Sequence, residues 1–354
     1  MSRVTIIGTT TWGKTLGTVL ARSGRQVKLW ARTKQEANRL RKAVSNPSLL
    51  STTTDFPSKL SVTSSLTEAL LETEAVILVV PSQTVRQNIK LVARHLDESM
   101  LVVSAAKGLE VDSNQRMSQV IADEIEPGFR SNICVLSGPN LSEEILDDLP
   151  AATVVAADDE AIARKAQKLL TAPNLCIFTN TDVIGVELGG ALKNIVALGA
   201  GIVDGLGYGD NAKAALMTRG LTEITALGVA LGANPLTFSG LAGLGDLIAT
   251  CASPLSRNHH VGVELAKGRP LKEITDSMVG VAEGVGTTLV VWNIAREMGL
   301  EMPITEATYR VLYDGADLRQ TTAKLMEAEA AHELAGRKWK LFSFLKHRRR
   351  TRAV

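Results

Sequence analysis

Six residues, Gly189-Gly190-Ala191-Leu192-Lys193-Asn194, carry the sharpest chemical signal in the chain. They lie in a stretch with helical spacing, where residues three and four before Lys193 share its face. Both are glycine, so one cation stands beside a helical turn bare of side chains, at a propensity cost of roughly 2 kcal/mol. A solvent-facing lysine has no use for such a surface, whereas a lysine aimed at a bound cofactor and substrate does. Burial and charged neighbours lower a lysine pKa and make the amine usable as a general acid–base near neutral pH. The plain alternative is a salt-bridged structural lysine.

Further polar groups follow. Gly243-Leu244-Gly245-Asp246 offers a carboxylate that could orient Lys193, bind a substrate hydroxyl, or simply cap a helix. Ser256-Arg257-Asn258 lines up hydroxyl, guanidinium and amide donors, a set suited to a phosphate or carboxylate. Ser104-Ala105-Ala106-Lys107-Gly108 and Ser137-Gly138-Pro139-Asn140 each follow a strand-like run, at the strand ends that face the ligand crevice of doubly wound sheets. Lys107 and Gly138 there either meet a substrate or are ordinary loop residues. His259 and His260 have no partner at ligand spacing and read as surface residues. Cys251 reads as a small packed thiol.

At the N-terminus a strand is followed by the turn Gly8-Thr9-Thr10-Thr11-Trp12-Gly13 and a helix starting around Trp12. The dinucleotide fingerprint has glycine at the first, third and sixth places of this turn. Gly8 and Gly13 match, but Thr10 holds the middle place. Its Cβ would push a pyrophosphate outward, while its hydroxyl and the helix N-terminus could still donate to it. The second strand ends at Leu29-Trp30-Ala31-Arg32-Thr33-Lys34. An arginine there suits a 2′-phosphate where an acid would suit a free ribose hydroxyl, so Arg32 tilts the cofactor toward NADP over NAD.

These groups need a scaffold, and the first half supplies one. Val4–Ile7, Val27–Trp30, Ala75–Val80, Met100–Ser104, Ile133–Leu136 and Thr153–Ala156 read as strands. Helical spacing recurs between them, at Trp12–Ser23, Gln83–Leu96 and Glu160–Leu170. Strands apolar on both faces and alternating with helices predict a parallel sheet covered on both sides. Pro47 and Ser51–Thr54 mark one longer loop. From about Asp182 the strand-like runs cease and the text becomes rich in Ala, Leu and Gly. Of the 29 glycines, 15 fall between Gly185 and Gly262, which predicts backbone passing close to a packed neighbour or a ligand. The expected architecture is α/β: a Rossmann-like, doubly wound, mostly parallel sheet over 1–182, an all-helical domain over 183–335, and a basic tail over 336–354.

Length and charge narrow the class. The 354 residues suffice for about two domains. The net charge of +2 hides a skew, because eight bases and no acid lie from Arg337 onward. Without those eight, 31 Lys+Arg face 37 Asp+Glu, and the body sits near −6, which argues against a nucleic-acid binder. Three widely spaced cysteines form neither a disulfide framework nor a metal site, so no metal is expected and a reducing, cytoplasmic setting fits. The opening Met1–Gly8 turns polar before a signal-peptide apolar region is complete. No uninterrupted apolar run approaches the roughly 20 residues of a spanning helix.

With these residues assembled, the chain resembles the bacterial-type NAD(P)-dependent glycerol-3-phosphate dehydrogenases from Val4 to about Leu334. The resemblance is carried by Gly8…Trp12-Gly13, Ala106-Lys107-Gly108, Ser137-Gly138-Pro139, Gly185–Asn194, Asp204–Gly220, Leu236–Asn258 and Ala282-Glu283-Gly284-Val285. It implies reversible hydride transfer between NAD(P)H and dihydroxyacetone phosphate, giving sn-glycerol 3-phosphate for glycerophospholipid synthesis, and it implies a homodimer. By the same resemblance Lys193 is the general acid–base. Lys107, Gly138, Asn140, Asp246, Ser256, Arg257 and Asn258 meet the substrate. Gly8, Thr11, Trp12, Gly13, Arg32, Lys107, Ser142, Arg257, Val281 and Glu283 fall at cofactor positions. Asn140 and Ser142 depart from the residues usual in that family.

The segment after Leu334 falls outside this pattern. Trp339, Phe342 and Leu345 recur every third residue among the eight bases, a composition suited to peripheral contact with an anionic bilayer or to a solvated end. Two rival functions predict different behaviour. A dehydrogenase of a non-phosphorylated 3-hydroxy acid would be indifferent to Arg257, and a non-catalytic NADP-binding regulator would bind cofactor without turnover.

Overall fold

A computed structural model of the chain describes residues 2–45 and 57–326. The loop expected around Pro47 and Ser51–Thr54, and the basic segment 336–354, lie outside these. The chain opens with β1 (Arg3–Ile7), α1 (Thr11–Arg22), β2 (Gln26–Trp30), α2 (Lys34–Ser45), β3 (Leu60–Thr63), α3 (Leu66–Leu70) and β4 (Ala75–Leu78). It continues through α4 (Val85–Val92), β5 (Leu101–Ser104), α5 (Met117–Glu124), β6 (Ile133–Ser137), α6 (Ser142–Leu146), β7 (Ala151–Ala156), α7 (Glu160–Leu170) and β8 (Leu175–Asn180). The remaining described elements are helical: α8 (Val183–Gly205), α9 (Gly209–Ala230), α10 (Asp246–Ala252), α11 (Arg257–Ala266), α12 (Leu271–Ser277), α13 (Glu283–Met298), α14 (Pro303–Tyr313) and α15 (Leu318–Met326).

The eight strands form one sheet in the order β3-β2-β1-β4-β5-β6-β7-β8. All neighbours are parallel except β6 and β7, which run antiparallel. The order from β3 to β6 is that of the doubly wound dinucleotide fold, which places the crevice at the carboxyl ends of the strands. β4 and β5 are buried along their whole length, as strands covered on both faces must be. Successive side chains alternate between two cores: Ile6 joins Leu16, Leu20 and Leu170 on one face, and Ile7 joins Val85, Ile89, Val120 and Ile121 on the other.

The sequence reading misses β3 and β8. Both are edge strands: the exposed Ser61 interrupts the apolar pattern of β3, while β8 exposes Cys176 and Phe178 within the apolar run Leu175–Phe178.

α8 is the axis of the helical half, capped at its start by the Asp182 carboxylate, which accepts from the Gly185 N–H at 2.9 Å. Its 23 residues are long and apolar enough to cross a membrane, although Glu187 and Lys193 interrupt the run. Yet 94% of its apolar window is buried against the other elements, so it is a core helix. Glycine makes that enclosure possible. A Cβ on Gly201 would stand 2.0 Å from the His259 carbonyl oxygen, and one on Gly262 would stand 2.1 Å from that of Leu198, so α8 and α11 cross almost backbone to backbone.

Candidate active site

Lys193 projects from the middle of α8 and is 5% exposed. Its Nζ donates to Asp246 Oδ1 at 2.6 Å and to Thr250 Oγ1 on the next turn of α10. An ammonium has three hydrogens, so these two bonds leave one for a ligand. Asp246 is 1% exposed, and its second oxygen, Oδ2, accepts from Lys107 Nζ at 2.7 Å. Lys107 also donates to the Gly138 carbonyl oxygen at 2.7 Å. One buried carboxylate thus holds two amines, one from the middle of α8 and one from the loop after β5. Of the roles open to Asp246, orienting Lys193 is the one its contacts support. Burial lowers the Lys193 pKa from 10.5 to about 8, with Asp246 opposing the shift and Lys107 adding to it.

The bare turn beside Lys193 has a different cause from a ligand. A Cβ on Gly189 would lie 2.4 Å from the Ala242 carbonyl oxygen, and one on Gly190 2.2 Å from Ser137 Oγ. The glycines let α8 press against the end of β6 and against the π-helical turn Leu241–Gly245 that leads into α10. That contact carries Asp246 to Lys193. Ser137 Oγ and Asn140 Oδ1 are buried without a hydrogen-bond partner among the described residues. Asn140 Nδ2 donates to Thr153 Oγ1 at 3.2 Å.

The triplet after Pro254-Leu255 opens α11. Ser256 caps it, accepting from the His259 N–H at 3.2 Å, and Arg257 stands exposed at the first helical position. The free N–H groups of such a turn favour an anion. Asn258 is turned inward instead. Its Nδ2 donates to Asn194 Oδ1 at 2.8 Å, and its Oδ1 accepts from the Gly284 N–H at 2.9 Å. Its side chain braces α11 against α8 and α13. His259 corrects the expectation of a surface residue, since its ring nitrogen lies 2.7 Å from Asp204 Oδ2, which also accepts from Lys213 at 2.9 Å. His260 is exposed. Cys251 is fully buried, and burial pushes its thiol up to about 12.

At the other end of the crevice Gly8 has φ +118°, and a Cβ on it would stand 2.4 Å from the Val79 carbonyl oxygen. Only glycine fits there, and the β1–α1 turn stays flush beneath the start of α1. A Cβ on Gly13 would meet the Gly8 carbonyl oxygen at 2.3 Å. The Thr10 hydroxyl is taken up within the turn: it donates to the Val79 carbonyl at 3.0 Å and accepts from the Gly13 N–H at 3.1 Å. Thr11 and Trp12 begin α1. Arg32 donates to Gln87 Oε1 and Asn88 Oδ1, each at 3.1 Å. Ser142 begins α6 and Val281 is exposed before α13. The Glu283 carboxylate accepts from the Ser82 N–H at 2.9 Å and from its hydroxyl, tying α13 to the turn after β4, and burial raises its pKa.

Sequence reasoning gave Thr250, Ser82 and Glu36 no role. Thr250 was within reach, because it lies one helical turn after Asp246. Ser82 has no local signal, whereas Glu36 follows the second strand by a few residues, where an acid is one mark of a dinucleotide fold.

Comparison with known proteins identifies the family. The model of the NAD-dependent glycerol-3-phosphate dehydrogenase N-terminus matches residues 3–163, and that of the C-terminus matches 182–323. A glycerol-3-phosphate dehydrogenase [NAD(P)+] of Dehalococcoides mccartyi is 64% identical over 352 residues, covering 99% of this chain and 98% of the relative. One from Geobacter metallireducens is 44% identical over 94% of this chain and 98% of its own. The crystal structure of the Coxiella burnetii glycerol-3-phosphate dehydrogenase superposes with a TM-score of 0.86 at 33% identity, covering 92% of this chain and 99% of that one. From the Gly8 turn to the Lys193–Asp246–Lys107 cluster, the chain belongs to the NAD-dependent glycerol-3-phosphate dehydrogenase family.

Proposed function

We infer that the protein is a glycerol-3-phosphate dehydrogenase working with NAD(P)+, which reversibly reduces the ketone of dihydroxyacetone phosphate to the secondary alcohol of sn-glycerol 3-phosphate. The single observation that carries the reading is Lys193 Nζ, buried and held by Asp246 and Thr250 with one hydrogen to spare. With its pKa lowered to about 8, the amine is protonated at neutral pH yet gives up its proton readily. In the direction of reduction Lys193 delivers that proton to the substrate oxygen, and in oxidation it takes the proton back. Lys107 adds a second positive charge beside the developing alkoxide. Arg257, with the free N–H groups opening α11, holds the phosphate, and Ser256 and Asn258 keep that turn in place.

The turn bared at Gly8 and the N-terminus of α1 fit a pyrophosphate, with Gly13, Thr11, Trp12 and Arg32 around it. By the family resemblance Gly138 and Asn140 are assigned to the substrate, and Ser142, Val281 and Glu283 to the cofactor. NAD(P)H, when bound, supplies the hydride.

We divide the chain at residue 182 into a dinucleotide-binding part and a helical substrate part, and we place the enzyme in the cytoplasm as a homodimer. The basic segment 336–354 is proposed to touch anionic membranes. Equal flotation with anionic vesicles by the full chain and by one cut at Gly336 would reject that contact. Following NADH and NADPH absorbance as dihydroxyacetone phosphate is added tests the activity itself. Oxidation of neither cofactor overturns the reading, and an Arg257→Ala variant with unaltered substrate use would point to a non-phosphorylated substrate.

A further inference from the structure

The end of β2 holds a carboxylate that the motif reading passes over. Glu36, on the first turn of α2, folds back toward the β1–α1 turn. Its Oε1 accepts from the Thr9 hydroxyl inside the Gly8–Gly13 turn, and its Oε2 accepts from the Arg32 N–H at 3.1 Å. The Thr33 hydroxyl fixes its backbone by accepting from the Glu36 N–H at 3.1 Å. The carboxylate therefore sits between the phosphate-binding turn and the second strand. In doubly wound sheets an acid at that place accepts from the ribose 2′-hydroxyl of the cofactor. Glu36 is half-buried, which keeps its charge from being fully screened. Meanwhile the guanidinium of Arg32, the group that would attract a 2′-phosphate, is drawn toward α4 by Gln87 and Asn88. Asn88 is 1% exposed and itself donates to the Thr84 carbonyl oxygen at 2.7 Å, so it is a fixed anchor.

We propose that Glu36 is the residue that sets this enzyme's balance between the two nicotinamide cofactors, receiving the ribose hydroxyls of NAD(H) and repelling the 2′-phosphate of NADP(H). This rests on the reading of the Gly8 turn as the pyrophosphate site. Arg32 supplies the opposing attraction once it leaves Gln87 and Asn88, and exposed Lys34 adds to it, so both cofactors are accepted while Glu36 weights the choice.

The test is equilibrium titration of the full-length protein with NAD+ and with NADP+ by calorimetry, without substrate. In Glu36→Gln the shape is kept and the charge is lost. The affinity for NADP+ relative to NAD+ is expected to rise roughly tenfold or more, the size of one unit charge acting on a partly solvated phosphate. Glu36→Asp keeps the charge and is expected to hold the ratio near that of the parent. Dihydroxyacetone phosphate reduction with NADPH and NADH should show the same shift in relative kcat/KM. An unchanged ratio in Glu36→Gln, equal loss of both affinities, or a Glu36→Asp variant that behaves like Glu36→Gln overturns the proposal. If the parent protein binds neither cofactor, the reading of the site itself fails, which is a separate outcome.

Discussion

Asp246→Asn is the most informative single change, because one carboxylate serves both Lys193 and Lys107. Asparagine keeps the shape and one acceptor but removes the charge. In the parent protein, burial and Lys107 lower the Lys193 pKa and Asp246 restrains the fall at about 8. An opposite charge this close to a buried group is worth about 1–3 pKa units, at about 1.4 kcal/mol each. Without it the pKa drops to roughly 5–7. A value near 6 leaves roughly one lysine in ten protonated at pH 7, a loss of about tenfold in the acid form. The sign follows from the role. Reduction uses protonated Lys193, so its rate falls as pH rises through the lysine pKa, and oxidation shows the mirror image. The assay is the pH profile of single-turnover dihydroxyacetone phosphate reduction in both proteins. The parent should lose rate with a midpoint of about 8, and Asp246→Asn should lose it one or more units lower. A limb that stays in place, or moves upward, would refute the reasoning.

Other outcomes follow from the same geometry. Lys193→Ala should lower kcat by about 10²–10⁴-fold, the usual worth of a positioned acid, with the protein still folded by circular dichroism. Gly189→Ala puts a Cβ 2.4 Å from a backbone carbonyl; it should cost about 1–3 kcal/mol of stability, read as a lowered Tm. Arg257→Ala should reduce kcat/KM for dihydroxyacetone phosphate by about 10²-fold while leaving unphosphorylated dihydroxyacetone nearly unaffected, since a charge-assisted contact to phosphate is lost. In native protein at pH 8, iodoacetamide should modify exposed Cys176 and spare Cys134 and Cys251, whose buried thiols are pushed up to about 12, as intact-mass spectrometry would report.

Much of the scaffold is legible in local pattern. The central strands announce themselves as apolar runs because they are covered on both faces, and the helices between them by their periodicity. The edge strand β3 escapes because the exposed Ser61 breaks its run, whereas β8 keeps an apolar run from Leu175 to Phe178 that is legible in the sequence yet passed over. Lys193 stands out from composition alone, as a cation beside two helix-weakening glycines. The reason for those glycines does not. They are absent of side chains to admit Ala242 and Ser137, and only the chain path reveals those neighbours.

What the sequence determines by itself is therefore whatever depends on near neighbours along the chain: the type of most elements and the Gly8 turn. What tertiary structure alone decides is which charges meet. Asp246 lies 53 positions from Lys193 and 139 from Lys107, and Glu36 lies 27 from Thr9. Periodicity and propensity act over a few residues, whereas the pKa of an amine depends on charges within a few ångströms in space. The sheet order and the close crossing of glycine-bearing helices set those distances.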